Sequence, residues 1–368
     1  MGKLRVGFIG AGRIADLHAL GYRDPSTGSL AGQAGQAADA ELYAVCDADR
    51  QVAEDRAREW GASRTFTDYR EMLADPKLDA VEVLTPHRFH EEMAVAALEA
   101  DKHVSLQKPM AVSLEEADAI VAAARRSDRV FRVFENFRYY PPYVRAKELL
   151  DEGAIGQPMS LRVKVIGGNP RHGWRVPAGA WAWRLSEEEC GGGPMIFDHG
   201  YHIFSIVRYF LGDVESVFAW IERVEVGPGL ALDSPAVIVW RHAGGPRFGS
   251  WETVTSPELM VRSKYYPNDE WLELTGTRGL IWVNRCSGEM LAGPPLVVYR
   301  DGEAQAIHDV ESDWAAGFVR ATRAFVRAVR EGGQPELSAE EGREVLRFSL
   351  AAHRSAREGR SVALAEMG

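Results

Sequence analysis

Three cysteines in 368 residues, Cys46, Cys190 and Cys286, are too few and too scattered for a disulfide framework. Their odd number and the lack of any C-x-x-C spacing leave no cysteine metal centre, and a reducing, cytoplasmic setting is expected. Positive charge is in short supply: 43 Lys and Arg against 53 Asp and Glu give a formal charge of −10. Nucleic acid and anionic membranes are therefore not expected as main partners, since both select basic patches. Long apolar runs are missing too. No segment approaches the roughly 20 apolar residues that span a bilayer. The first apolar run, Val6 to Ala11, is broken by glycine and followed closely by Arg13, so no secretory signal is expected. No repeat or low-complexity tract stands out. What remains is an ordinary globular composition, 46% hydrophobic and 26% charged, in a chain longer than one core usually serves. Two domains are expected, divided as 1–130 and 131–368.

The first part alternates strands with helices. Leu4 to Gly10 reads as a buried strand and Arg13 to Tyr22 as a helix. The turn between them is Gly10-Ala11-Gly12-Arg13-Ile14-Ala15. In such a G-x-G-x-x-A turn the first glycine permits the bend, the second admits a pyrophosphate to the backbone, and the small last residue lets helix pack on strand. The next strand, Glu41 to Cys46, ends at Asp47, which can hold the ribose hydroxyls of NAD and would repel the 2′-phosphate of NADP. NAD is favoured over NADP. Asp49 competes for that role, and a plain turn aspartate is the other reading. The excess spacing before Asp47 is assigned to a Gly/Ser/Ala/Gln-rich loop insertion, Asp24 to Asp39. Strands Ala80 to Leu84 and His103 to Leu106 continue the alternation, with helices at Val52 to Trp60 and Glu91 to Ala100. Such alternation implies a parallel sheet, and ligands bind at the carboxyl ends of its strands. Thr85, His87 and Lys108 all follow strands. Pro109 biases Lys108 away from helix; either a substrate-facing lysine or a solvated loop lysine fits these residues.

Residues 191–202 run Gly-Gly-Gly-Pro-Met-Ile-Phe-Asp-His-Gly-Tyr-His. Asp198 precedes His202 by four residues at the start of a helical pattern, so the two can share a face. A carboxylate orienting an imidazole builds a general base, and the glycines are read as room for a ligand near the backbone. The same letters also suit a helix cap at Asp198 and a packed core histidine at His202. Further strands are expected at Phe131 to Phe137 and Met159 to Ile166. Gly167 to Glu189 reads as a long irregular segment rich in Trp and Arg. Within it Trp183 can cover a sugar ring and Arg184 can bind hydroxyls or a carboxylate; Arg138 is a further substrate candidate. Pinning of the loop is the competing reading. His87-x-x-His90 is the nearest approach to a metal pair, and no metal is expected. Trp314 to Arg330 and Glu340 to Arg357 read as two closing helices.

Taken in order, several segments resemble one known family. They are Gly7 to Ala15 with His18, Leu84-Thr85-Pro86 with His90, Ala100 to Val104 leading into Gln107-Lys108-Pro109, Gly153 to Gly156, the triple glycine, Asp198 to His202, Leu274 to Gly279, and Ser355 to Gly359. Nearly the whole chain is covered. It is similar to the glucose–fructose oxidoreductase / inositol dehydrogenase / MocA family. The resemblance implies an α/β N-terminal Rossmann domain and an α+β C-terminal domain with an open, mostly antiparallel sheet. It implies a homodimer or homotetramer through that sheet, and a C-terminal helix that packs back on the first domain. A catalytic trio would fall on Lys108, Asp198 and His202. Cofactor contacts would include Gly10, Gly12, Arg13, Ile14, Asp47, Thr85, His90 and Lys108. Two positions depart from the pattern: Gln107 stands where glutamate is usual and His87 where asparagine is frequent, so the environment of Lys108 and of the cofactor is expected to differ there. The function expected is NAD-dependent oxidation or reduction of a small carbohydrate, polyol or sugar derivative. Glycoside cleavage with tightly held NAD and a non-enzymatic cofactor-binding sensor are the alternatives.

Overall fold

A strand covered on both faces has no side to leave polar, and Leu4–Ile9 (β1) is apolar at every position but Arg5. The computed structural model describes residues 2–22, 39–176, 178–227 and 230–368. The expected insertion at Asp24 to Asp39 lies outside the described residues except for Asp39 itself. β1 pairs in parallel with Ala40–Cys46 (β2), which pairs with Arg64–Phe66 (β3). On its other side come Ala80–Val83 (β4), His103–Gln107 (β5) and Phe131–Phe134 (β6), giving the order β3-β2-β1-β4-β5-β6. The strand order reverses at β1, between β2 and β4, which opens a crevice at the carboxyl ends where such sheets bind ligands.

Helices Ala15–Ala19 (α1), Arg50–Trp60 (α2), Tyr69–Leu73 (α3), His90–Glu99 (α4) and Leu114–Arg126 (α5) alternate with these strands. α1 is shorter than the expected Arg13 to Tyr22, because Gly12 to Ile14 form a turn ahead of it. Asp49 caps α2 by accepting from the N–H groups of Gln51 and Val52.

The described chain divides into two units, Met1–Asn136 with Ala315–Leu346, and Phe137–Trp314 with Arg347–Gly368. The first therefore runs beyond residue 130, because β6 hydrogen-bonds to β5 and completes its sheet. The expected strand to Phe137 stops at Phe134 and a 3₁₀ turn, Asn136–Tyr139, follows. The first unit also takes back a late segment. Phe325 and Val326 join Val6, Phe8, Ala15 and Ala19 in one apolar core.

The second unit begins with the helix Pro141–Asp151 (α6) and is built on nine strands. Its long strand Pro158–Arg171 (β7) runs well past the expected Ile166, and its last residues pair with Met260–Arg262. The segment read as irregular from Gly167 is thus strand to Arg171, followed by short helical turns at Ala178–Trp181 (α7), Ala182–Leu185 and Glu187–Cys190 (α8). After Gly200–Leu211 (α9) come Val214–Ile221 (β8), the hairpin Val224–Gly227 (β9) and Leu230–Leu232 (β10), then Ala236–His242 (β11), Phe248–Arg262 (β12), Asn268–Gly276 (β13), Gly279–Val283 (β14), Leu296–Arg300 (β15) and Glu303–Ile307 (β16). The closing elements are Ala315–Glu331 (α10), Ala339–Glu358 (α11) and Val362–Ala363 (β17).

The large sheet has the order β16-β15-β14-β13-β7-β12-β11-β8-β17, parallel only between β7 and β12. One face is packed: Trp251 of β12 is fully buried and meets Phe204 of α9 edge-on, while Phe348 of α11 packs on both Phe204 and Trp240. The other face carries exposed Trp220, Val237, Val239 and Phe248. No described helix is long and apolar enough to cross a membrane.

Candidate active site

In the first unit, the predicted glycine turn is bound to the strand ends around it. Gly10 adopts φ +93°, and a Cβ there would stand 2.9 Å from the Leu84 carbonyl oxygen, so only glycine fits. Its N–H donates to the Cys46 carbonyl at 2.8 Å. Gly12 differs: a Cβ there would meet nothing within 4 Å. Open space above that backbone is what a pyrophosphate needs, so the residues present fit a dinucleotide. Arg13 pairs with Asp16 at 2.9 Å.

Asp47 sits beside this turn. One carboxylate oxygen accepts from the Ala11 N–H at 2.9 Å and the other from the Asp49 N–H at 3.0 Å. Asp49 is engaged in capping α2, which leaves Asp47 as the acid at the glycine turn.

Thr85, His90 and the Lys108 loop are joined. The ring nitrogens of His90 lie 2.9 Å from the Thr85 carbonyl and 2.8 Å from that of Pro109. His90 is wholly buried, so it braces the two loops and is not exposed to a cofactor, a correction to its expected contact role. Burial, with His87 close by, pushes its imidazole down to about 3. His87 is itself buried, 5.5 Å from His90 between ring centres. Lys108 and Gln107 are each more than nine-tenths buried. The Lys108 N–H donates to the Gln107 side-chain oxygen at 2.8 Å.

In the second unit, the triple glycine serves packing, not ligand access. A Cβ on Gly193 (φ +119°) would strike the Asp233 carboxylate at 2.7 Å, and one on Gly192 would stand 3.0 Å from Phe197 and 3.1 Å from His353. The glycines allow a π-helical turn, Pro194–His199, to start against Asp233. The Asp233 carboxylate accepts from Met195 N–H at 2.9 Å and Ile196 N–H at 2.6 Å. Asp198 is therefore not the cap. Its own N–H bonds back five residues to the Gly193 carbonyl at 3.1 Å, and its carboxylate faces the Arg184 Nε at 2.5 Å. π turns inside helices recur at functional sites because they redirect side chains.

His202 follows in the first turn of α9, 6% exposed, with its ring stacked on Phe137 at 4.1 Å and 5°. Asp198 is 7% exposed. Arg184 also lies under Trp183, 4.3 Å from its ring centre, so these two substrate candidates form one unit with Asp198. Arg138 has a different place. It is 6% exposed, donates to the Ser205 hydroxyl at 3.0 Å and lies 5.6 Å from the Tyr209 ring, which pins α9. That replaces its expected substrate role.

Two residues escaped the sequence reading. Asp233 is the true cap, yet it lies 38 residues from Met195 and no local pattern links them. Glu270, fully buried, stands 3.0 Å from the ring of His199. Burial opposes its ionisation, but His199 and the Ser287 hydrogen bonds hold its carboxyl below the ordinary range. Its neighbour Asp269 is pushed up to about 6 by burial and by the charge of Glu270.

Known proteins with matching sequences place the chain. Residues 4–135 match the family described as an oxidoreductase family with an NAD-binding Rossmann fold, and residues 143–282 match the GFO/IDH/MocA C-terminal domain. The chain is 28% identical to myo-inositol 2-dehydrogenase of Thermotoga maritima over 99% of each chain. It is 27% identical to D-glucoside 3-dehydrogenase of Escherichia coli, covering 98% of this chain and 97% of that one. Its fold matches the crystal structure of an oxidoreductase from Agrobacterium radiobacter in complex with NAD+, L-tartaric acid and magnesium, with a TM-score of 0.81 over 100% of both chains at 23% identity.

Proposed function

This chain belongs to the GFO/IDH/MocA oxidoreductase family, and from that premise we propose that it is an NAD-dependent dehydrogenase of a sugar, polyol or related hydroxylated carbohydrate. The observation that carries the reading is the acid and base pair on the π turn: Asp198 and His202, four residues apart, nearly but not wholly buried. His202 accepts the proton of the substrate hydroxyl, and Asp198 stabilises the charge that develops on the imidazole. Lys108 holds the reacting oxygen. When bound, the nicotinamide takes the hydride. Gly10 and Gly12 with Arg13 and Ile14 form the phosphate turn, Asp47 holds the ribose hydroxyls, and Thr85, His87 and Gln107 border the nicotinamide side. Trp183 and Arg184 face the carbohydrate ring and its hydroxyls.

A panel of pentoses, hexoses, inositols and sugar acids, assayed for NADH formation, tests the function. At least one free sugar or polyol is expected to give net NADH. Turnover of glycosides with no net NADH would replace this reading with NAD-assisted glycoside cleavage, and cofactor binding with no turnover of either would leave a sensor. We further propose that the large sheet pairs with another copy of the chain, supported by the exposed Trp220, Val237, Val239 and Phe248 on its open face.

A further inference from the structure

A row of buried polar groups in the first unit is not used by the chemistry above. It runs from Tyr22, just past α1, through Glu82 on β4 and His18 on α1 to Gln107 at the end of β5. His18 and Glu82 are fully buried, and Tyr22 and Gln107 nearly so. The Tyr22 hydroxyl donates to Glu82 Oε1 at 2.6 Å, and Glu82 Oε2 contacts His18 Nδ1. His18 Nε2 lies 3.0 Å from the Gln107 amide nitrogen, and the Gln107 side-chain oxygen lies 2.8 Å from the Lys108 N–H.

Donor and acceptor chemistry assigns every proton in this row. A backbone N–H can only donate, so the group facing Lys108 must be the Gln107 oxygen. That turns the amide NH₂ toward His18, and an NH₂ can only donate. His18 Nε2 must then carry a lone pair, and the single ring proton sits on Nδ1, facing Glu82. Burial opposes the Glu82 charge, but His18, the Arg132 guanidinium and Tyr22 together hold its carboxyl below the ordinary range. The remaining surroundings of His18 are the rings of Phe8, Phe134 and Phe318. A flipped amide or a doubly protonated His18 would set two donors face to face in a buried site, a costly arrangement.

We propose that His18, held by Glu82 as the neutral Nδ1–H tautomer, is a positioning residue for Lys108: it locks the Gln107 amide, and Gln107 in turn holds the Lys108 backbone. The tautomer stands on the geometry alone, whereas its consequence for turnover rests on the proposed role of Lys108. The test is two-bond ¹⁵N–¹H correlation spectroscopy of the ¹⁵N-histidine-labelled protein at neutral pH. A proton on Nδ1 alone is expected for His18; a proton on Nε2, or on both nitrogens, overturns the lock. In Gln107→Glu a carboxylate can accept at both ends, so His18 is expected to gain a second proton on Nε2; an unchanged neutral ring overturns the lock as well. Gln107→Leu removes both bonds and is expected to lower kcat by roughly 10- to 100-fold, with NADH affinity kept within about threefold. Unchanged kcat overturns the positioning role. A wild-type protein that oxidises no sugar would sink the proposed function and leave the spectroscopic result standing.

Discussion

The two glycine clusters of this protein look alike on paper and do opposite things. Gly12 faces open space, whereas Gly192 and Gly193 face packed side chains at 3.0 Å and 2.7 Å. The first keeps a surface clear for something that arrives. The second lets the chain start a π turn hard against Asp233, which aims Asp198 and His202. A glycine's letter therefore reports only that a side chain is not tolerated; whether a ligand or the protein itself is the obstacle depends on what surrounds it.

The sharpest way to separate the two regions is to damage each one's task. His202→Ala should lower kcat by about 10²- to 10⁴-fold and leave NADH affinity unchanged, as steady-state kinetics and calorimetric titration would show. Comparable losses in both quantities would mean that the second unit does not confine itself to proton transfer. Gly193→Ala should cost about 2–4 kcal/mol of stability in urea unfolding, from its left-handed backbone and the Asp233 carboxylate. Gly12→Ala should do the reverse, keeping the melting temperature while weakening NADH binding by roughly tenfold or more. If Gly12→Ala unfolds the protein and Gly193→Ala only slows it, the contrast between the clusters collapses.

A smaller effect concerns pH. Unfolded, His90 titrates at its ordinary 6.5; folded, it resists protonation down to about 3. Between those values the unfolded state binds the extra proton, so stability falls as the pH drops, by about 1.4 kcal/mol per pH unit for this residue. His242 and His353, both held near 4, act in the same direction. His90→Asn should flatten the acid limb between pH 6 and 4 in urea unfolding. An unchanged slope would show that His90 is not held neutral.

The first unit was largely legible because its signals are local. The strand–turn–helix at Gly10 needs six adjacent letters, and the carboxyl-end placement of Asp47, Thr85 and Lys108 follows from strand alternation. Even there, His90 was misread as a cofactor contact, since its burial depends on Pro109, nineteen residues away. The second unit was less legible for the same physical reason. The cap on the catalytic turn comes from Asp233, the charge beside His199 comes from Glu270, and Arg138 is taken up by Ser205. Each partner is distant in sequence.

The sequence by itself determined the parallel nucleotide-binding sheet, the cofactor turn and the identity of the acid and base, because backbone period, turn chemistry and side-chain type are properties of neighbouring residues. Only the tertiary structure decided which groups were already engaged. Asp198 meets Arg184, the triple glycine meets Asp233, and His18 meets Gln107 across 89 residues. A buried polar group must find its partner wherever folding brings one, and that choice is made by packing, not by spacing along the chain.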